Sequence, residues 1–332
     1  MAATMKEMTF ADAVREALAE EMRRDPLVWA LGEDLSTAHG GTSANQYLGL
    51  IDEFGPKRIV NTPISENTIM GAAVGAAVAG TRPVADLRMA DFGMCAVDEL
   101  VNQAAKIRYM FGGQARVPLV VRQAIGVRRG AAAQHSQSTE AWWVHTPGLV
   151  VVTPATPADG KGLLKAAIRA DDPVVFMEHK DCWGVSGAVA DGDDSLIEIG
   201  KAARLREGTD LTIVSWSKMA QQAAAAADAL AKDGVSVEVI DLRTLWPWDK
   251  KAVYASVRKT GRLLVAQESV LVGGFGAEVC ADVAEACADA LTLFPARIGA
   301  PRAPVPYAEA MENEYRVTTE RVIAKARQVL AA

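Results

Sequence analysis

The chain predicts an α/β fold made of two three-layer α/β/α domains, each built on a mainly parallel sheet. Three observations carry this expectation. Short apolar runs alternate with stretches of helical period. The alternation stops once, in a Gly-, Ser- and Asp-rich stretch after Trp183, and then resumes. A length of 332 residues also exceeds what a single hydrophobic core usually serves. The domains are expected at 1–183 and 208–332, with 184–207 as a linker holding at most one short strand.

The elements follow in order. Thr9 with Asp12 three positions on reads as the capping box of a helix reaching about Arg24. Apolar runs at 27–31, 83–87, 117–121, 149–152 and 174–177 read as strands. Helices are expected near 95–111, 137–145 and 158–170, the last announced by Pro157 and by Asp159 in its first turn. After the break, strands are expected at 211–215, 235–240 and 263–266. Helices are expected at 218–232, 249–259 and 276–288, with an amphipathic one at 318–331. No internal repeat and no low-complexity segment is found.

Composition narrows the class. Half the residues are hydrophobic and 23% charged, a globular balance, and the net charge of -6 argues against nucleic acid as the main partner. Cys95, Cys182, Cys280 and Cys287 form no CxxC pair. They suit neither a disulfide framework nor a zinc site, and point to a reducing compartment, expected to be the cytoplasm. The charged start (Lys6, Glu7, Asp12, Arg15, Glu16) does not read as a signal peptide. The small apolar run from Ile69 to Gly80 is too short for a membrane span and reads as a helix buried nearly all round.

Glu66 opens that run. A carboxylate there faces a buried cavity or another chain, or it is a simple first-turn charge, which a helix N-terminus favours. Gly71 and Gly75, spaced by four, allow another helix to come close, inside the chain or from another subunit. His135, in Gln134-His135-Ser136-Gln137-Ser138, fits a proton-handling group near neutral pH or a structural histidine, the commoner case. Phe92, in Asp91-Phe92-Gly93, suits stacking on a flat heterocycle or plain core packing. Arg122, Arg128 and Arg129 flank a glycine-containing loop and suit an anion or solvent. Gly273-Gly274-Phe275-Gly276 before a helix offers amides to a phosphate, but lacks the spacing of a dinucleotide fingerprint.

Together these segments resemble the beta subunits of thiamine-diphosphate-dependent 2-oxo acid dehydrogenases, of the pyruvate, branched-chain and acetoin types. The resemblance runs in register over about residues 5–330. It rests on Thr62-Pro63-Ile64-Ser65-Glu66, Gly71 to Gly80, Asp91-Phe92, Val101-Asn102-Gln103-Ala104-Ala105-Lys106, Gly112-Gly113-Gln114 and Ala132-Ala133-Gln134-His135-Ser136-Gln137-Ser138. Further on it rests on Pro147-Gly148-Leu149, Pro154-Ala155-Thr156-Pro157-Ala158-Asp159, Asp241-Leu242-Arg243-Thr244, Gly273-Gly274-Phe275-Gly276 and Val305-Pro306-Tyr307-Ala308. It implies a transketolase-like pyrimidine-binding domain followed by a transketolase C-terminal domain.

The resemblance also implies roles. Glu66 matches the glutamate that hydrogen-bonds N1′ of the aminopyrimidine and drives it to the imino tautomer that deprotonates the thiazolium. Phe92 matches the aromatic residue packed on that ring. His135 matches the histidine of substrate handling and of acyl transfer to the lipoyl group. A potassium-type ion is implied at main-chain carbonyls near Leu119, Ala167, Ala170 and Asp172. Thiamine enzymes hold the diphosphate through magnesium on a Gly-Asp-Gly segment followed by asparagine, and no such segment occurs here. In the resembled family an alpha subunit supplies that half, in an assembly of two alpha and two beta chains, so this chain alone is expected to be inactive. Rival readings are an acetoin-cleaving enzyme and a non-catalytic assembly subunit of the same fold.

Two departures stand out. Arg88 replaces the family's usual methionine four positions before Phe92, on the cofactor's substrate side. With Arg128 and Arg129 it suggests a substrate with a second anionic or polar group, unless it pairs with Asp86, Asp91 or a partner chain. Arg302 stands where the family commonly carries an acid that docks the lipoyl acyltransferase core. Its reversed charge puts conventional docking in doubt.

Overall fold

The computed structural model describes residues 5–35 and 46–332. The chain divides into two compact units. One comprises Met1–Ile125 with Trp142–Ile199, the other Gly126–Ala141 with Gly200–Ala332.

The first unit begins with β1 (Met5–Thr9) and α1 (Phe10–Arg24), and the Thr9 hydroxyl accepts from the Asp12 amide as the capping pattern predicts. It continues through β2 (Val28–Gly32), α2 (Leu50–Phe54), β3 (Ile59–Asn61), α3 (Glu66–Val78), β4 (Arg82–Met89), α4 (Ala105–Met110) and β5 (Val120–Ile125). It closes with α5 (Glu140–Val144), β6 (Val150–Val152), α6 (Pro157–Arg169), β7 (Val174–His179) and β8 (Ser186–Ala190). Within this unit the main sheet runs β6-β7-β5-β4-β2-β3, all parallel. Every residue of β5 and β7 is buried, as in a parallel sheet covered on both faces, and the polar Arg122, Gln123, Glu178 and His179 lie among their apolar residues. Phe10, Val14, Leu18 and Met22 of α1 meet Leu163, Leu164 and Ile168 of α6 and Val84, Val120 and Phe176 of the sheet in one core.

The second unit holds β9 (Ala203–Arg206), β10 (Leu211–Ser215), α7 (Lys218–Ala231), β11 (Val237–Asp241), β12 (Thr244–Trp246), α8 (Lys250–Thr260) and β13 (Leu263–Val270). It ends with α9 (Phe275–Ala286), β14 (Ala296–Ala300), α10 (Glu309–Tyr315) and α11 (Thr319–Ala331). Its sheet runs β14-β13-β10-β11-β9, with only β9 antiparallel. Asp249 caps α8 through the Ala252 amide, and Thr318 caps α11 through the Arg321 amide.

Several expectations are revised. Residues 184–207 are not a bare linker: β8 pairs with β1 and β9 with β11. Ile197 and Ile199 pack on the first core, and Gly162 makes room, since a Cβ there would lie 2.2 Å from the Ser195 carbonyl oxygen. Partners distant in sequence make these short strands, so local pattern does not reveal them. Residues 126–141, expected in the first domain, group with the second. The strand expected at 117–121 starts later, at Val120, because Pro118 has no amide hydrogen for a ladder. The helix expected at 95–111 changes pitch, with a 3-10 turn at Phe92–Ala96, a π-helical stretch at Asp98–Ala104 and then α4. Of the helix expected at 137–145, only α5 forms.

Candidate active site

The first cluster lies at the carboxyl ends of parallel strands, where open α/β sheets bind ligands. Thr62 follows β3, Glu33 follows β2, and Asp91 and Phe92 follow β4. Glu66 is the first residue of α3, partly exposed, and the helix starts with the Ile69 amide donating to the Ser65 carbonyl. Next to it, the Asn67 amide group donates to Glu99 Oε1. Glu99 Oε2, Glu33 Oε2 and Thr62 Oγ1 are buried acceptors without a hydrogen-bond partner.

Arg88 holds this edge together. Its φ is +58°, a left-handed conformation strained for a non-glycine residue, and it coincides with a register shift in the β4–β5 pairing. Its amide donates to Asp86 Oδ1 at 2.8 Å, and its guanidinium donates to the Glu33 main-chain oxygen. Burial pushes the Glu33 carboxyl above the usual carboxylate range. Arg88 pulls it down, while Glu66, Asp34 and Asp86 add to the rise. The arginine is therefore committed to the β2 turn, a contact the sequence did not suggest.

Phe92 is half-exposed at the start of its 3-10 turn. Gly93 behind it makes room for Gln123, since a Cβ would lie 2.4 Å from Gln123 Nε2 and push that side chain aside. Gln123 is buried and accepts from Trp143 Nε1 at 2.9 Å.

The α3 helix departs from its expected burial. Ile69, Met70, Ala73, Val74 and Ala77 are buried, but Gly71, Ala72, Gly75 and Val78 are exposed. A Cβ on Gly75 would meet nothing within 4 Å. Among the described residues nothing covers one apolar side of the helix, as the subunit-contact reading of the two glycines requires.

The aminopyrimidine half of thiamine diphosphate fits this donor set: a carboxylate at a helix start, unpaired buried acceptors and a half-exposed aromatic ring. Among the described residues the metal-diphosphate half finds no free acidic donor set. Among the described residues the acidic group Glu16, Glu20 and Asp191 has metal-like spacing, but Lys161 Nζ already sits 2.7 Å from Glu16 and 2.8 Å from Glu20.

The carbonyls expected around potassium are partly engaged. Leu119 accepts from the Val174 amide at 2.9 Å, and Ala167 from the Ala170 amide at 3.2 Å. The Ala170 and Ile168 oxygens accept from Arg82 Nη1 at 2.8 and 3.1 Å. The Asp172 carboxylate pairs with Arg108.

The second cluster belongs to the other unit. His135 is exposed, on the segment 126–141. The Val127 amide and the Ser138 hydroxyl donate to Glu268, and the Gly130 amide donates to Glu312. Glu140 is buried and accepts from Trp216 Nε1 at 3.0 Å. Burial pushes its carboxyl up, while its own amide and Trp216 restrain the rise. The glycine loop at 273–276 is not an open phosphate cradle. The Gly276 amide donates to Gln267 Oε1 at 2.8 Å, and Cβ atoms on Gly274 or Gly276 would strike that side chain.

Sequence reasoning missed Glu33, Glu268 and Glu312, which no motif marks. It also missed a repeated signal. Asp241-Leu242-Arg243 ends β11 as Asp86-Leu87-Arg88 bends β4. Arg243 has the same φ of +58°, and its amide donates to Asp241 Oδ1 at 3.0 Å.

An open parallel sheet with an acid at its strand ends, followed by a second α/β unit, defines a transketolase-type chain. Residues 6–183 match the family model "Transketolase, pyrimidine binding domain", and residues 200–322 match "Transketolase, C-terminal domain". A solved "Split gene transketolase, inactive beta4 tetramer" superposes with TM-score 0.79 at 25% identity, covering 98% of this chain and 99% of that one.

Curated relatives are more specific. The rice (Oryza sativa subsp. japonica) "Pyruvate dehydrogenase E1 component subunit beta-2, mitochondrial" is 45% identical over 94% of this chain and 83% of its own length. The "2-oxoisovalerate dehydrogenase subunit beta" of Bacillus subtilis is 41% identical over 98% and 99%. The "Acetoin:2,6-dichlorophenolindophenol oxidoreductase subunit beta" of Cupriavidus necator is 42% identical over 96% and 96%. The chain belongs to the transketolase-like family of 2-oxo acid dehydrogenase beta subunits.

Proposed function

We propose that this chain is the beta half of a thiamine-diphosphate-dependent 2-oxo acid dehydrogenase, active only with an alpha subunit in a heterotetramer of two alpha and two beta chains. The observation that carries the reading is Glu66, placed at the start of a helix whose apolar side is bare beside it. The reaction is oxidative decarboxylation of a pyruvate-like or branched-chain 2-oxo acid, with transfer of the acyl group to a lipoyl arm. Arg302, exposed, reverses the charge expected where a lipoyl acyltransferase core would dock, so conventional docking of that core is the part of the reading left in doubt.

Bound thiamine diphosphate supplies carbanion-stabilising chemistry. Glu66 holds a proton at N1′ of its pyrimidine, and Phe92 gives the ring an apolar face. Arg88 keeps the Glu33 turn in place beneath them. His135 presents an exposed imidazole that exchanges a proton during acyl transfer. Magnesium belongs to the alpha subunit, because this sequence has no Gly-Asp-Gly segment with its asparagine. A potassium ion at Leu119, Ala167, Ala170 and Asp172 rests on the resemblance; each carbonyl that already accepts one donor has a second lone pair. A reducing compartment such as the cytoplasm suits four free cysteines.

Acetoin cleavage is the second reading, favoured by the Cupriavidus relative. Co-expression with an alpha-type chain, followed by reduction of an artificial electron acceptor with pyruvate, branched-chain 2-oxo acids and acetoin, separates the two. Activity should need both chains and fall at least about 100-fold in Glu66→Gln. Activity from this chain alone overturns the two-chain reading, and a folded, cofactor-free complex with no activity supports a non-catalytic assembly subunit.

A further inference from the structure

The segment that carries His135 has little regular structure until α5 begins at Glu140. Four of its residues lie in the left-handed region: Gly126 at φ +94°, Arg129 at +40°, Gly130 at +69° and Ala132 at +57°. Two of them are not glycine, so the backbone is strained and must be held by its surroundings. The holding groups come from the far end of the chain. The Gly130 amide donates to Glu312 Oε2 at 2.5 Å. Glu312 is 3% exposed, and its other oxygen accepts from Arg316 Nε at 3.2 Å. Tyr307 closes the same point, since a Cβ on Gly130 would lie 3.3 Å from its carbonyl oxygen. On either side of His135, the Val127 amide and the Ser138 hydroxyl donate to the two oxygens of Glu268 at 3.4 and 3.1 Å. One carboxylate gathers the base of the loop and the other pins its bend. Hydrogen bonds to ionised acceptors are the strong kind, and they are directional.

We propose that Glu312 and Glu268 are positioning residues for His135: from α10 and β13 they set where an imidazole on a strained loop can reach. The proposal rests on the reading of His135 as a group of the reaction. It also gives a reason for the segment to group with the second unit although its neighbours on both sides belong to the first.

A double-mutant cycle in the alpha-containing complex tests this, with acyl transfer to a lipoyl domain and acceptor reduction measured side by side. Glu312→Ala and Glu268→Ala should each slow acyl transfer roughly 10- to 100-fold, with thiamine diphosphate affinity unchanged. Glu312→Gln, which keeps an acceptor for the Gly130 amide, should recover most of that loss. Because the carboxylates act through His135, His135→Ala combined with Glu312→Ala should be no slower than His135→Ala alone. Val127 also packs with Ala300, Val305 and Tyr315, so the loop should keep one attachment in each variant. Should Glu312→Ala fail to fold, amide exchange at Gly130 in Glu312→Gln and the Glu268→Ala arm of the cycle carry the test. Multiplying losses in the double variant would overturn the positioning role while leaving His135 in the reaction. Full acyl transfer in His135→Ala would overturn the reading of His135, and the positioning role with it.

Discussion

The Arg88 main-chain amide donates a 2.8 Å hydrogen bond to the Asp86 carboxylate, and Arg88 adopts a φ of +58° to make it. With its side chain on the Glu33 carbonyl, Arg88 ties the carboxyl ends of β4 and β2. The guanidinium considered for a second substrate anion thus already has a main-chain partner. Arg88→Met should change KM for pyruvate and for a dicarboxylic 2-oxo acid by the same factor, within about twofold. A tenfold difference between the two substrates would restore the specificity role.

The bare side of α3 makes a prediction about assembly. A Cβ on Gly75 has no atom of the described residues within 4 Å, and Gly75→Leu removes a helix-interior glycine, so the chain alone should be unchanged or up to about 1 kcal/mol more stable. Association with the alpha partner should weaken at least tenfold, read by analytical ultracentrifugation. Unimpaired assembly would show that the helix faces solvent in the complex.

Arg122 and Glu178 form a buried ion pair, with Nε and Nη2 at 2.7 and 2.6 Å from Oε1. Tyr47 stacks under the guanidinium at 5.0 Å, and Gln46 and Trp183 donate to Glu178. Removing one charge strands the other. Arg122→Met should therefore cost about 3–5 kcal/mol in urea unfolding, and Arg122→Met with Glu178→Leu clearly less. Equal losses would mean that the pair contributes little beyond packing.

The Glu20, Lys161 and Lys165 cluster predicts an acid limb. Burial alone would raise the Glu20 carboxyl, but hydrogen bonds from Lys161 and Lys165 outweigh it, and the net shift is downward from 4.5. A depressed folded value stabilises above the unfolded one and is lost as pH falls through the folded one. Stability should therefore drop as pH is lowered below about 4.5, and Glu20→Gln should flatten that drop in a thermal-melt series. For Lys161, burial lowers the value, but bonds to Glu16 and Glu20 win and raise it above 10.5. Its contribution is present at neutral pH and fades only as pH rises through the raised folded value.

Much of the fold was legible. The start signals at Thr9 with Asp12 and at Pro157 with Asp159 are local chemistry, and the helices they open lie within a residue or two of expectation. Strand β10 begins and ends where its apolar run does. The failures share a cause. Strands β1, β8 and β9 pair with partners far away in sequence, and residues 126–141 attach to carboxylates on β13 and α10. No periodicity encodes such partners. The two Asp-Leu-Arg bends were visible as repeated letters, but their meaning is a backbone dihedral.

By itself the sequence determined the α/β class and the order of most elements, and it offered Glu66, Phe92 and His135 as candidates, because caps, apolar runs and motifs depend on neighbouring residues. The tertiary structure decided what those residues have around them. It left one side of α3 uncovered among the described residues, tied Arg88 to Glu33, turned the Gly276 amide to Gln267 and gave the His135 segment to the second unit. These outcomes follow from which buried carboxylates, amides and carbonyls find partners across the fold, and a buried polar group takes whatever donor or acceptor packing brings to it.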